Sequence, residues 1–240
     1  TSPASQISAG TITADVATNV TNSIEMFRFT VEDQGTSDGL ATEISQFRLV
    51  PGSNNTADWS QTIQGVRVVA DITGGLVAQS DQNVTINDNE IIIDITATPD
   101  DEMTIADASS REYTISIFLN NSNITDNDII QLAIPDSPKD WLVGSNSSGF
   151  NPFFNGFEGN DFSINVNGTG LDFVTEPSTT VINEAMDTVE VADTDTNGNI
   201  DTNFSSDISI SSSGTLTNDP VNITAVNGVA TFSGLTHTTL

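Results

Sequence analysis

Residues 24–31 (IEMFRFTV) set Phe27, Phe29 and Val31 against Met26, Arg28 and Thr30 at alternate positions. A period of two sends successive side chains to opposite faces, so this segment predicts a strand with one apolar and one more polar face. Strand-like runs recur over 44–50, 63–70, 90–96, 112–119, 128–134 and 161–166. Gly, Asn, Asp or Pro bounds each of them, and these are the residues that turns require. No stretch carries the periodicity of a long helix; 97–108 has room for one short helical turn.

A polar, glycine-containing break follows at 165–170 (NVNGTG), and a new series begins with 171–174, 188–191, 208–211, 221–226 and 229–232. Glu176-Pro177 ends the first of these, because proline has no N–H to give a neighbouring strand. Asn227-Gly228 between the last two predicts a tight hairpin whose central residues both take positive φ. The pattern predicts an all-β chain of tandem β-sandwich modules, a larger one over 1–168 and an immunoglobulin-like one over 169–240. An immunoglobulin-type sandwich takes about 100 residues and seven strands. The second module is therefore expected to be incomplete at its C-terminal end. No signal peptide is visible at Thr1, which reads as a mature chain or an internal fragment.

Charge narrows the function. Thirty-three acidic residues against five basic ones give a net charge of -28. Nucleic-acid binding needs Lys and Arg to neutralise phosphate, so nucleic acid is excluded as a partner, and anionic membrane surfaces fall to the same sign argument. No apolar stretch approaches the roughly 20 residues that cross a bilayer as a helix, so no direct membrane insertion is expected. The chain has no cysteine, which removes disulfides, thiolate metal sites and cysteine nucleophiles. The acid excess suits either solubility in salty surroundings or carboxylate ligation of a hard cation such as calcium.

Three landmarks in the second series carry a family resemblance: L-x-F-V-x-x-P from Leu171 to Pro177, D-x-N-G-N-I-D from Asp195 to Asp201, and VNGVATFSGL from Val226 to Leu235. They resemble the bacterial immunoglobulin-like repeats of Bacteroidetes surface proteins. FRFTVEDQGTSDGLAT, NNTADWSQTIQGV, REYTISIFLN and GNDFSINV in the first series resemble the β-rich module that accompanies those repeats. The pairing and order are similar to the long, repeat-containing adhesins exported by the type IX secretion system, including those of gliding flavobacteria. The resemblance implies an extracellular place on the surface of a Gram-negative cell. It also implies neighbouring modules of the same polypeptide, the type IX secretion and gliding machinery, and a surface polysaccharide or abiotic surface as partners.

Two acidic loops are candidate calcium sites. Asp193, Asp195, Asn197, Asn199 and Asp201 put oxygen side chains at alternate positions around Gly198, like the first half of a calcium loop. Phe204 stands where the bidentate Glu of a complete EF-hand loop belongs, and a β-turn explains the same residues. Asp33 and Asp38, in the loop 32–39, converge on a cation in one reading and sit on a solvated turn in the other. Asp100, Asp101 and Glu102 form a third acidic group without a ligand spacing. Asp187-Thr188-Val189 resembles the Asp-Ser/Thr-apolar sequence of Bacteroidetes O-glycosylation, which makes Thr188 a candidate glycan site. The aromatic stretch 150–157 (FNPFFNGF) is either a sticky patch or a plug of buried Phe, and Trp59 and Trp141 are read as packing residues.

Catalytic signals are thin. His237 is the only histidine, and neither a G-x-S-x-G elbow nor an H-E-x-x-H helix occurs. The expectation is a non-enzymatic stalk or adhesion segment serving surface attachment and gliding. The alternative is an accessory carbohydrate-binding module of a secreted polysaccharide-degrading enzyme, which needs exposed aromatics in a line or cleft.

Overall fold

A computed structural model describes residues 3, 5–35, 38–70, 76–79, 83–96, 101–137, 140–149, 156–217 and 219–239. Its regular structure is almost entirely strand, as the period-two runs require. The chain divides into two compact units, Thr1–Asn123 with Asp128–Ile164, and Ile124–Asn127 with Asn165–Leu240.

The strands of the first unit are β1 (Gly10–Thr13), β2 (Ile24–Glu32), β3 (Thr42–Pro51), β4 (Ile63–Ala70), β5 (Leu76–Gln79), β6 (Val84–Asn87) and β7 (Glu90–Asp94). They continue with β8 (Thr104–Ile105), β9 (Ser110–Leu119), β10 (Ile129–Ile130), β11 (Leu132–Ile134), β12 (Trp141–Val143), β13 (Phe157–Glu158) and β14 (Phe162–Asn165). One sheet runs β2-β9-β4-β5; a second runs β13-β11-β3-β7-β6, with β12 and β8 also paired to β3. A small sheet, β1-β14-β10, completes the set.

Aromatic side chains from the two large sheets meet in one cluster, which shows that the sheets face each other across a shared core. Phe29 of β2 lies 5.3 Å from Phe47 of β3, 5.2 Å from Tyr113 of β9 and 5.7 Å from Trp141 of β12. Phe27 stacks on Phe157 at 5.3 Å. Such a cluster combines large apolar burial with favourable edge and offset ring contacts. Met26, which alternation assigns to the polar face, is buried instead. The β2–β9 register shifts between Glu25 and Phe27, and this bulge turns Met26 inward.

A single helical turn, Trp59–Thr62, is capped by Asp58, whose carboxylate accepts from the Ser60 and Gln61 amides. Its Trp59 is fully buried, and the indole N–H donates to Asn55 Oδ1 at 2.8 Å. The short turn expected within 97–108 is a 3₁₀ helix at Asp101–Met103; residues 97–100 lie outside the described residues.

The second unit holds β15 (Gly170–Thr175), β16 (Val189–Thr194), β17 (Asp207–Ile210), β18 (Thr215–Leu216), β19 (Val221–Thr224), β20 (Val229–Phe232) and β21 (His237–Thr239). β15-β16-β20 form one antiparallel sheet, while β17 pairs with β19 and β18 with β21. Val189, Val191, Ile208, Ala225, Ala230, Phe232 and Leu235 form its core. Asn227 and Gly228 have φ of 50° and 79°, the left-handed pair of a tight turn that the Val226–Val229 bridge closes. The expected hairpin goes no further than that bridge, because β19 pairs with β17 and β20 with β16, so the turn joins strands of two different sheets.

Candidate functional site

The loop after β16 carries most of the chemistry that the acid pattern suggested. Asp195 is buried and gathers the loop around itself. Its Oδ1 accepts from the Asn197 amide at 2.8 Å and the Asn199 amide at 2.9 Å, and its Oδ2 accepts from Asn199 Nδ2 at 2.8 Å. The Asp195 amide closes the turn onto the Asn199 carbonyl at 2.9 Å, and Gly198 supplies a φ of 82° at the tip. Asn199 is buried as well, and its Oδ1 accepts from the Ile124 amide at 3.0 Å. The alternate Asp and Asn positions therefore build a turn in which neutral donors occupy the carboxylate of Asp195.

Asp193 and Asp201 come together on the other side of this loop. The Asp201 amide donates to the Asp193 carbonyl at 2.9 Å, and the Asp201 carboxylate accepts from the Asn203 amide at 2.9 Å and the Gly168 amide at 3.1 Å. Gly168 lies against the Asp193 carboxylate so closely that an added methyl would overlap it. Partial burial, and next the negative charge of Asp201, hold the Asp193 carboxyl above its ordinary value. Asn197 sits exposed at the turn.

A residue absent from the sequence reasoning completes the loop. Asp126, buried in the tetrapeptide Ile124–Asn127, accepts from the Val166 amide at 2.8 Å through Oδ1. Its Oδ2 accepts from the Thr202 hydroxyl at 2.7 Å, the Thr202 amide at 3.1 Å, Asn203 Nδ2 at 3.0 Å and Asn127 Nδ2 at 3.1 Å. The only local hint is Ile124, an apolar residue inside the polar run 120–128 (NNSNITDND) and buried in the structure.

In the first unit, Asp33 is buried and accepts from the Gly35 amide at 3.0 Å and the Thr42 hydroxyl at 2.8 Å. Asp38 is exposed and accepts from the Leu40 amide at 3.1 Å and the Ser148 hydroxyl at 3.0 Å. The Leu40 amide, followed by the Ser148 hydroxyl, lowers the Asp38 pKa. The two carboxylates bracket Gly35, where an added Cβ would lie 3.4 Å from an oxygen of each. Among the described residues, no three Asp, Glu or His side chains are grouped to hold a metal ion together.

Thr188 is exposed immediately before β16, and the amide of its neighbour Asp187 donates to the Ser178 hydroxyl at 3.1 Å. Trp141 is buried and stacks on Phe47 at 5.2 Å; Phe150, Phe153 and Phe154 lie outside the described residues. His237 Nε2 is 3.3 Å from the Ser212 hydroxyl, but its Nδ1 is buried with no hydrogen-bond partner. A nucleophilic serine needs a carboxylate on that second nitrogen to orient the ring, so this pair is not an assembled triad.

Comparison of the chain with protein-family profiles, curated proteins and solved structures returned no match. The geometry of the chain itself therefore carries the functional argument. Among the described residues no helix is long and apolar enough to cross a membrane.

Proposed function

We propose that the chain is a non-catalytic stalk or adhesion segment of a long extracellular surface adhesin, serving attachment and gliding motility of a Gram-negative cell. The observation that carries this reading is how the polar groups are used. Asp195, Asn199, Asp126 and Asp33 are buried and spend their oxygens on backbone amides and hydroxyls of their own unit. Buried, satisfied polar contacts of this kind fix one loop geometry, which is what a load-bearing module needs from its turns. The aromatic residues of the first unit support the same reading, since Trp59 and Trp141 are packed inside instead of lining a cleft. The partners that follow are neighbouring modules of the same polypeptide, the type IX secretion and gliding machinery, and a surface polysaccharide or abiotic surface.

Calcium enters as a proposed stiffener of the Asp193–Asp201 pair, where a divalent cation would relieve repulsion between carboxylates. Asp33 and Asp38 offer a second, weaker pair. If chelation of calcium left the melting temperature unchanged, that role would be lost. Thr188 is proposed to carry an O-linked glycan, because its side chain is exposed; intact mass of the native protein equal to the bare polypeptide would remove it.

The adhesin reading is tested by coating beads with the chain and measuring their retention under flow on glass and on polysaccharide films, alongside a glycan array. Retention without turnover of any polysaccharide is the expected result. Saturable binding of one defined oligosaccharide, combined with no general retention, would favour the accessory carbohydrate-binding role instead.

A further inference from the structure

The core of the second unit is open on one side. Antiparallel register sets Phe173 of β15 beside Val191 of β16, and Val191 beside Ala230 of β20. Directly paired residues project to the same face of a sheet, so all three belong to the core face. Val191 and Ala230 are buried there, yet Phe173 is 46% exposed. Leu171, on the same face two residues away, is 51% exposed, and every residue of β15 is solvent-accessible.

The opposing ribbon explains the gap. Ile208 pairs with Ile223 and Ile210 with Val221 across β17 and β19, which puts four apolar side chains on one face. Only Ile208 is fully buried. On the facing sheet Val191 and Ala230 are covered while Leu171 and Phe173 are not, so the uncovered strip falls on β15. Its far edge pairs with no strand among the described residues. An apolar edge strand with unpaired backbone groups is a template for strand addition.

Charge decides what fits. Asp193, paired with Leu171 in the register, and its neighbour Asp201 sit at one end of the strip. All five basic residues of the chain lie at or before Lys139, so the second unit has no Lys or Arg of its own. A second copy of this unit laid on β15 would bring carboxylates against carboxylates. An incoming strand that carries a cation would instead cover the apolar strip and compensate the acid pair.

We propose that the open side of the second unit docks an extended segment of another polypeptide, which lays alternating apolar side chains over Leu171 and Phe173 and brings a Lys or Arg to Asp193 and Asp201. The full chain is titrated with a labelled peptide of about eight residues, the strand length typical of sheets, alternating valine and threonine with an arginine at one end. Fluorescence anisotropy gives the affinity, and hydrogen exchange gives protection of the amides in β15. The arginine peptide is expected to protect β15 and to bind at least about tenfold more tightly than its glutamate counterpart. Phe173→Ser should weaken binding by at least about tenfold, with Phe173→Thr as a second variant and unchanged exchange in β16 and β20 as the folding control. Asp193→Asn with Asp201→Asn should erase the preference for arginine. Equal affinity of the two peptides, no protection of β15, or protection insensitive to Phe173 would overturn the proposal. So would sedimentation showing that copies of the chain associate through β15, or a longer polypeptide whose own flanking strand already protects it.

Discussion

Asp126→Ala is the most informative single change in the second unit. The carboxylate holds Val166 through one oxygen and Thr202, Asn203 and Asn127 through the other. Val166 is buried, so its stranded amide costs the full penalty of an unsatisfied donor; Thr202 is half-buried and finds water more readily. At about 1–3 kcal/mol for a buried orphan and less for an accessible one, the variant loses about 2–4 kcal/mol. Asp126→Asn keeps one acceptor oxygen and turns an NH₂ toward donors, for a loss of about 1–2 kcal/mol. Trp59, Trp141 and Tyr113 all lie in the first unit, so tryptophan emission reports that unit and serves as the control. The second unit is read by hydrogen exchange of β16 and β20, where 2–4 kcal/mol corresponds to about 30- to 700-fold faster exchange if those amides open with the unit. Exchange within about threefold of wild type, or equal effects of Ala and Asn, would refute the claim that Asp126 organises the loop.

Three further outcomes follow from the same geometry. The Asp193 carboxyl has a folded pKa above its unfolded value, so the native state binds the proton more tightly and stability falls as pH rises from the ordinary carboxylate range through the raised value. Asp193→Asn should therefore raise the melting temperature at pH 7 and flatten its dependence on acidity, as scanning calorimetry over a pH series can check. Gly168→Ala forces the half-buried Asp193 carboxylate to swing aside and should cost about 0.5–1.5 kcal/mol, and Asp193→Ala should restore most of it in a double-mutant cycle; additive losses would sink that explanation. Phe47→Ala, at the meeting of Phe29 and Trp141, should cost about 3–5 kcal/mol in denaturant melts followed by tryptophan emission.

Long apolar alternation was enough to find the main strands, because burial of one face leaves a local trace. The run at 63–70 matches β4, and that at 112–119 falls within β9, which extends from Ser110 to Leu119. Short strands such as β1, β12 and β21 left no such trace, since pairing with residues far along the chain decides them. The run at 128–134 divides at Gln131, whose side chain turns to bond the Gly159 carbonyl at 3.0 Å and the Asn54 amide at 2.8 Å. Likewise the bulge that buries Met26 depends on its partner strand β9, not on the sequence around it. Local pattern reports which residues seek burial, while register and bulges are settled by partners.

The acidic loop follows the same logic in chemical form. Oxygen side chains at 193, 195, 197, 199 and 201 suit a calcium loop and a hydrogen-bonded turn equally well, because both need acceptors at alternate positions and a glycine at the tip. What separates them is the supply of donors. Asp195 is served by amides within its own turn, and Asp126 by groups from Val166 and from 202–203. Asp193 lacks such service and rests beside Asp201 with its pKa raised. In a unit without Lys or Arg, positive charge brought to that pair, from a cation or from an incoming side chain, would offset the repulsion of Asp193 by Asp201. The loop thus spends Asp195 and Asp201 on holding its shape and leaves Asp193 as the carboxylate that burial and a like charge disfavour.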